Sequence, residues 1–126
     1  MCFYIHEDHQ KVKIARKDIT CYKVLRNINS RYYAPYQCVE YRYNKLKKSK
    51  IITRPRPGTF GSGTIDLGLH SLTDLKSVKR FINRTLLVYS GDPVFEAVIP
   101  KGSEYYYNPY KGEYVSNQLM IVKRIS

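Results

Sequence analysis

The chain has 126 residues, 43% of them hydrophobic, which is enough for one domain with a single core and no staple of metal or disulfide. Lys and Arg total 22 against 10 Asp and Glu, a net charge of +12 that favours anionic partners: nucleic acid, a nucleotide or an acidic protein. No run approaches the roughly 20 apolar residues of a membrane-crossing helix, and Met1-Cys2-Phe3-Tyr4-Ile5-His6 lacks the basic-then-apolar pattern of a signal peptide. The expectation is therefore a cytoplasmic chain with no membrane partner.

Residues 1–18 mix polar and apolar types without a period and read as an arm or a short edge strand. His6 and His9, with Glu7 and Asp8, have a metal-like composition, but their spacing does not suit a regular site, so no metal is expected. The three cysteines, Cys2, Cys21 and Cys38, are odd in number and not spaced as a zinc knuckle or redox pair. Cys21 lies in an apolar run and reads as core, and no disulfide is expected.

Ile19 to Leu25 is rich in strand formers and predicts a strand, closed by the turn formers of Asn27–Ser30. Ala34-Pro35-Tyr36-Gln37 reads as a turn, because proline pre-sets its own φ and restricts the residue before it. Val39–Tyr43 alternates and predicts a second strand. The chain has 13 Tyr and no Trp, and five of the tyrosines (Tyr32, Tyr33, Tyr36, Tyr41 and Tyr43) fall here. Tyrosine packs well in strands and also offers a face for stacking.

From Arg42 to Arg56 there are seven basic residues and no acid: Arg42, Lys45, Lys47, Lys48, Lys50, Arg54 and Arg56. With Pro55, Pro57 and Gly58 following closely, the segment predicts a hairpin and then a long exposed loop. Together with Tyr36, Tyr41 and Tyr43 it is the candidate ligand-binding surface, cations for phosphates and rings for bases. Gly61-Ser62-Gly63 lacks the Lys-Ser or Lys-Thr of a phosphate loop.

Leu72, Leu75, Val78, Phe81 and Ile82 recur at helical spacing and predict a helix over Leu72–Arg84, capped by Ser71 with Asp74 three residues on. Lys76, Lys79, Arg80 and Arg84 occupy its other side and read as a solvated face. Apolar runs at 86–89, 94–99 and 119–124 predict further strands. One helical stripe among strands implies a single α+β domain, 1–126, with a mixed or antiparallel sheet.

His70-Ser71, before the helix, is the best local candidate for chemistry. The plainer reading is a packed histidine beside a capping serine. Glu96, Glu104 and Glu113 are the carboxylates of the C-terminal half.

The stretches Asp18–Val24, Ala34–Gln37, Gly68–Leu72, Val98–Tyr106 and Gly112–Asn117 resemble a family of small uncharacterised proteins encoded by bacteriophages and gut bacteria. The resemblance implies a shared fold, a phage-type viral protein and a host cytoplasm, but no catalytic residues and no cofactor. The basic segment Arg42–Arg56 does not map onto it. Val98–Gly102 with the downstream Glu113 is also similar to ADP-ribosyltransferase-like folds, which would imply an enzyme with His70 and Glu113 in one cleft. The leading expectation is a non-catalytic binder of nucleic acid or a nucleotide. The alternatives are such a nucleotide-processing enzyme and a virion or host-interaction protein that meets an acidic partner.

Overall fold

The structure, a computed structural model, describes residues 3–5, 12–34, 39–55, 63–84 and 92–125. In chain order the elements are β1 (Phe3–Ile5), β2 (Lys13–Ile14), β3 (Ile19–Val24), β4 (Arg26–Ile28), β5 (Arg31–Tyr33), β6 (Glu40–Tyr41), β7 (Lys47–Lys48) and β8 (Ile52–Pro55). There follow β9 (Gly63–Leu67), β10 (Leu69–Leu72), α1 (Leu75–Arg84), β11 (Val94–Ile99), β12 (Glu104–Asn108), β13 (Glu113–Ser116) and β14 (Gln118–Arg124). An α+β fold results, and every described strand pair is antiparallel.

The principal sheet has eight strands in the order β2-β12-β13-β10-β3-β11-β14-β7. Only Asn117 separates β13 from β14, yet β10, β3 and β11 lie between them in the sheet. A flat sheet would hold strands four places apart at about 19 Å, whereas a one-residue connection reaches about 7 Å. The sheet therefore curls, and β13 and β14 run on as one nearly continuous strand that belongs to both halves of the curled wall.

Alternation along the strands puts Cys21, Leu69, Phe95, Ala97, Ile99, Leu119 and Ile121 on one face, all buried, where they pack with Leu25. Tyr41 of the small β4-β5-β6 sheet and Ala34, just after β5, close this core. Each fully buried large apolar side chain here contributes roughly 1.5–3 kcal/mol. On the other face Val78 and Phe81 of α1 pack against Val24, Leu72 and Val94. Ile51 packs against Val115 and Tyr106, beside the third sheet, β1-β9-β8.

The strand readings at 19–25, 94–99 and 119–124 correspond to β3, β11 and β14. The run at 86–89 lies outside the described residues. Asn29 and Ser30 both have positive φ, 52° and 65°, and form the two-residue turn of the β4–β5 hairpin.

The helix starts later than its apolar stripe suggests. Residues 69–72 pair with β13, with Leu72 opposite Glu113. The Thr73 N–H donates to the Gly112 carbonyl at 2.9 Å, and the cap is Asp74, whose Oδ1 accepts the Ser77 N–H at 2.7 Å. Ser71 is thus a buried strand residue, and Leu75, placed by its spacing in the stripe, is 50% exposed.

Candidate functional site

The described part of the basic segment, 42–55, does not stand free as a hairpin, since β7 pairs with β14 and β8 with β9; the expected loop beyond it lies outside the described residues. The Asn44 N–H donates to the Ile121 carbonyl, Lys47 and Lys48 pair with Leu119 and Gln118, and the Ser49 N–H donates to the Asn117 carbonyl. Residues 44–49 therefore run along β14 as the last strand of the principal sheet. Lys45, Lys48 and Lys50 are exposed there and Lys47 is half-buried.

Lys123 and Arg124, at the exposed end of β14, extend this row of cations. Sequence reading missed them as partners, because nothing local says that β14 pairs with a segment some 70 residues earlier. A register shift in the β11–β14 pair leaves Val122 as the extra residue of a bulge, and beyond it Arg124 lies opposite Phe95 and Lys123 opposite Glu96. Tyr43 packs against Phe95 at 5.6 Å and Tyr32 at 6.0 Å, and stays 42% exposed. Its phenol is held above the ordinary tyrosine range by desolvation and by Tyr32, with Arg124 pulling the other way. No Asp or Glu occurs in 41–55 or 114–126.

The other expected site residues fall elsewhere. Arg42 bonds Glu40 at 3.3 Å. Arg54 lies in β8, opposite Thr64 of β9, and so belongs to a different sheet. Tyr36 and Arg56 lie outside the described residues. Tyr41 is only 2% exposed, with the Lys23 ammonium 5.4 Å from its ring centre. A ring so enclosed offers no face to a base, whereas Tyr43 is exposed.

A second group lies within the wall: the buried Cys21, Lys23, Tyr41, Ser71 and Glu113, with the half-buried His70 on the strand beside them. Burial pushes the Cys21 thiol up to about 11, against the pull of the Ser71 hydroxyl and the Lys23 ammonium. Burial lowers the Lys23 ammonium to about 8, with Cys21 and Glu113 opposing. The Tyr41 phenol is pushed well above its usual range, again by burial. Burial and the Lys23 charge bring the His70 imidazole down to about 3, so it is neutral across the physiological range.

His70 and Glu113 do share one face of the β10–β13 pair, since Leu72 faces Glu113 and His70 faces Val115. A proton donor-acceptor near neutrality needs a pKa near the working pH, and His70 is far from that. The Pro100–Ser103 turn lies beside Glu104, whereas Glu113 pairs with Asn108 at the far end of β12. Four residues at about 3.4 Å each put roughly 14 Å between the turn and Glu113, so the structure does not gather them into one cleft. Among the described residues no three His, Cys, Asp or Glu side chains converge as a metal site.

The chain matches no family model, no curated protein and no solved structure.

Proposed function

We propose that the protein binds a polyanion without catalysing a reaction on it, and that the partner is nucleic acid lying along the β7–β14 edge. The observation that carries this reading is the strip of Lys45, Lys47, Lys48 and Lys50 beside Lys123 and Arg124, with the exposed Tyr43 ring at one end. From Asn117 to Arg124 the edge runs about 24 Å at the rise of an extended strand, long enough to meet several phosphates. Clustered cations raise the local potential and release counterions when phosphates replace them. Edge lysines alone also serve to block strand addition. The exposed Tyr43 ring adds a stacking surface that blocking does not require. The phage and gut-bacterial resemblance would put such a binder in a host cytoplasm.

The alternative of an ADP-ribosyltransferase-like or nucleotide-processing enzyme has less support. It needs His70 and Glu113 to meet a substrate, but Glu113 is 3% exposed and His70 is desolvated.

Binding of single-stranded and duplex DNA and RNA, measured across salt concentrations, tests the reading. Replacing Lys45, Lys47, Lys48 and Lys50 by Gln should make the salt dependence for a single strand shallower by about three units, because each lost phosphate contact removes roughly 0.7. If the quadruple variant binds every one of these as tightly as the parent, the edge is not the site.

A further inference from the structure

A cleft of about 470 Å³ opens beside β2, lined by Lys13, Ile14, Arg16, Lys17, Ile19 and Tyr105. Its volume falls within the range of small-molecule sites. Three of the six lining residues are cationic and none is acidic. Among the described residues, the side chains of Arg16 and Lys17 make no hydrogen bond or ion pair. Among the described residues, Glu104 lies opposite Ile14, and the Asp18 Oδ1 accepts the Lys101 N–H at 2.8 Å.

The walls are built rather than loose. The Ala15 N–H donates to the Ser103 carbonyl and the Gly102 N–H to the Ala15 carbonyl, both at 2.8 Å. These bonds and the Asp18–Lys101 bond clamp the bend at 15–18 onto the 100–103 turn. The Tyr105 ring stands edge-on to Tyr114 at 5.8 Å and 80°. The Lys13 ammonium lies 5.9 Å from the Tyr107 ring centre. Asn117 separates this cleft from the basic edge: its Oδ1 and N–H bond the backbone of Glu104, and its carbonyl takes the Ser49 N–H.

We infer that this cleft is a second binding site, taking one nucleotide, with its phosphates on Lys13, Arg16 and Lys17 and its base against Tyr105, Ile14 and Ile19. A mononucleotide suits it where a polymer suits the edge. Three cations line the concavity, and the remaining lining is aromatic and aliphatic. The clamped backbone leaves mainly the exposed Arg16 and Lys17 side chains to be ordered on binding. The site stands independently of nucleic-acid binding at the β7–β14 edge.

Calorimetric titration at low salt with ATP and with inorganic triphosphate tests this. The parent should bind ATP more tightly than triphosphate. Arg16→Gln with Lys17→Gln, both exposed positions, should weaken ATP at least about tenfold, since two charge-assisted contacts are lost. Tyr105→Ala should weaken ATP at least about fivefold and leave triphosphate unchanged. The quadruple Gln variant of the β7 edge should keep ATP affinity within about threefold, the loss expected of general field alone. No ATP binding by the parent, or an Arg16/Lys17 variant as tight as the parent, overturns the site. Triphosphate binding as tightly as ATP overturns the nucleotide assignment.

Discussion

The Lys23 ammonium donates a hydrogen bond to the His70 carbonyl at 2.5 Å. The register of β3 with β10 consists of the single pair Tyr22 and Leu72, so a side-chain cation supplies a donor where the backbone ladder stops. Two titratable groups of the core are coupled by this arrangement, and each confers a distinct pH dependence on stability.

Lys23 has a folded pKa of about 8, below the ordinary 10.5. The unfolded chain binds its proton between these values and the native chain does not, so stability rises with pH through this window. The full difference amounts to about 3 kcal/mol. Cys21 works the other way: its thiol, held up to about 11 from 9.0, loses its contribution as pH rises from 9 to 11. Urea denaturation should therefore show stability increasing from pH 8 to 9, levelling to about pH 10, and falling beyond it, where the unfolded chain ionises tyrosines that burial keeps neutral in the fold. Lys23→Met should abolish the rise and expose a decline above pH 9. A variant with the parent's slope would mean that Lys23 is protonated in the fold throughout.

His70 titrates at about 3 in the fold against 6.5 when free. Below pH 6.5 the unfolded chain takes up a proton that the native chain refuses, so stability falls as the pH drops toward 3. The loss reaches about 5 kcal/mol at the acid end. His70→Asn should flatten the profile between pH 6.5 and 3, which thermal melts at half-unit steps would reveal.

Gly112 sits at φ +63°, and a Cβ there would lie 2.0 Å from Ser77 Oγ and 2.9 Å from Ser77 Cβ. Gly112→Ala combines left-handed strain with a clash between the β12–β13 turn and the first turn of α1. It should cost at least about 2 kcal/mol. Gly102, at φ +90°, has open space where a methyl group would sit, with no atom within 4 Å, so Gly102→Ala should cost only the backbone strain, about 1 kcal/mol. Equal midpoints in urea for the two variants would contradict this ordering.

Tyr41 and Tyr43 are two residues apart in a tyrosine-rich segment, yet one is 2% exposed and the other 42%. Tyr41→Ala should destabilise the fold by about 3–5 kcal/mol. Tyr43→Ala should leave thermal stability nearly intact and lower affinity for a single-stranded oligonucleotide by about 1–3 kcal/mol. Melting curves paired with anisotropy titrations separate the two effects.

How much of the fold is readable in the sequence depends on how local each signal is. Ile19–Val24 and Val94–Ile99 carry their strand character in their own side chains, and the Val78, Phe81 and Ile82 spacing marks a helical face wherever it packs. The excess of cations, and their run from Arg42, are matters of composition alone. Where α1 begins was not legible, because pairing of Leu69–Leu72 with β13 decides it, and that partner lies more than 40 residues away. Alternation alone does not say whether Tyr41 or Tyr43 faces the core. That choice follows from the Tyr32–Tyr41 register and from the Lys23 ammonium beneath the ring. Only the tertiary structure joined Lys45–Lys50 to Lys123 and Arg124, and assembled a cleft from β2, the bend after it and Tyr105. Both depend on long-range strand pairing and on the bend at Asn117, and pairing energies between distant segments leave no periodic trace in either one.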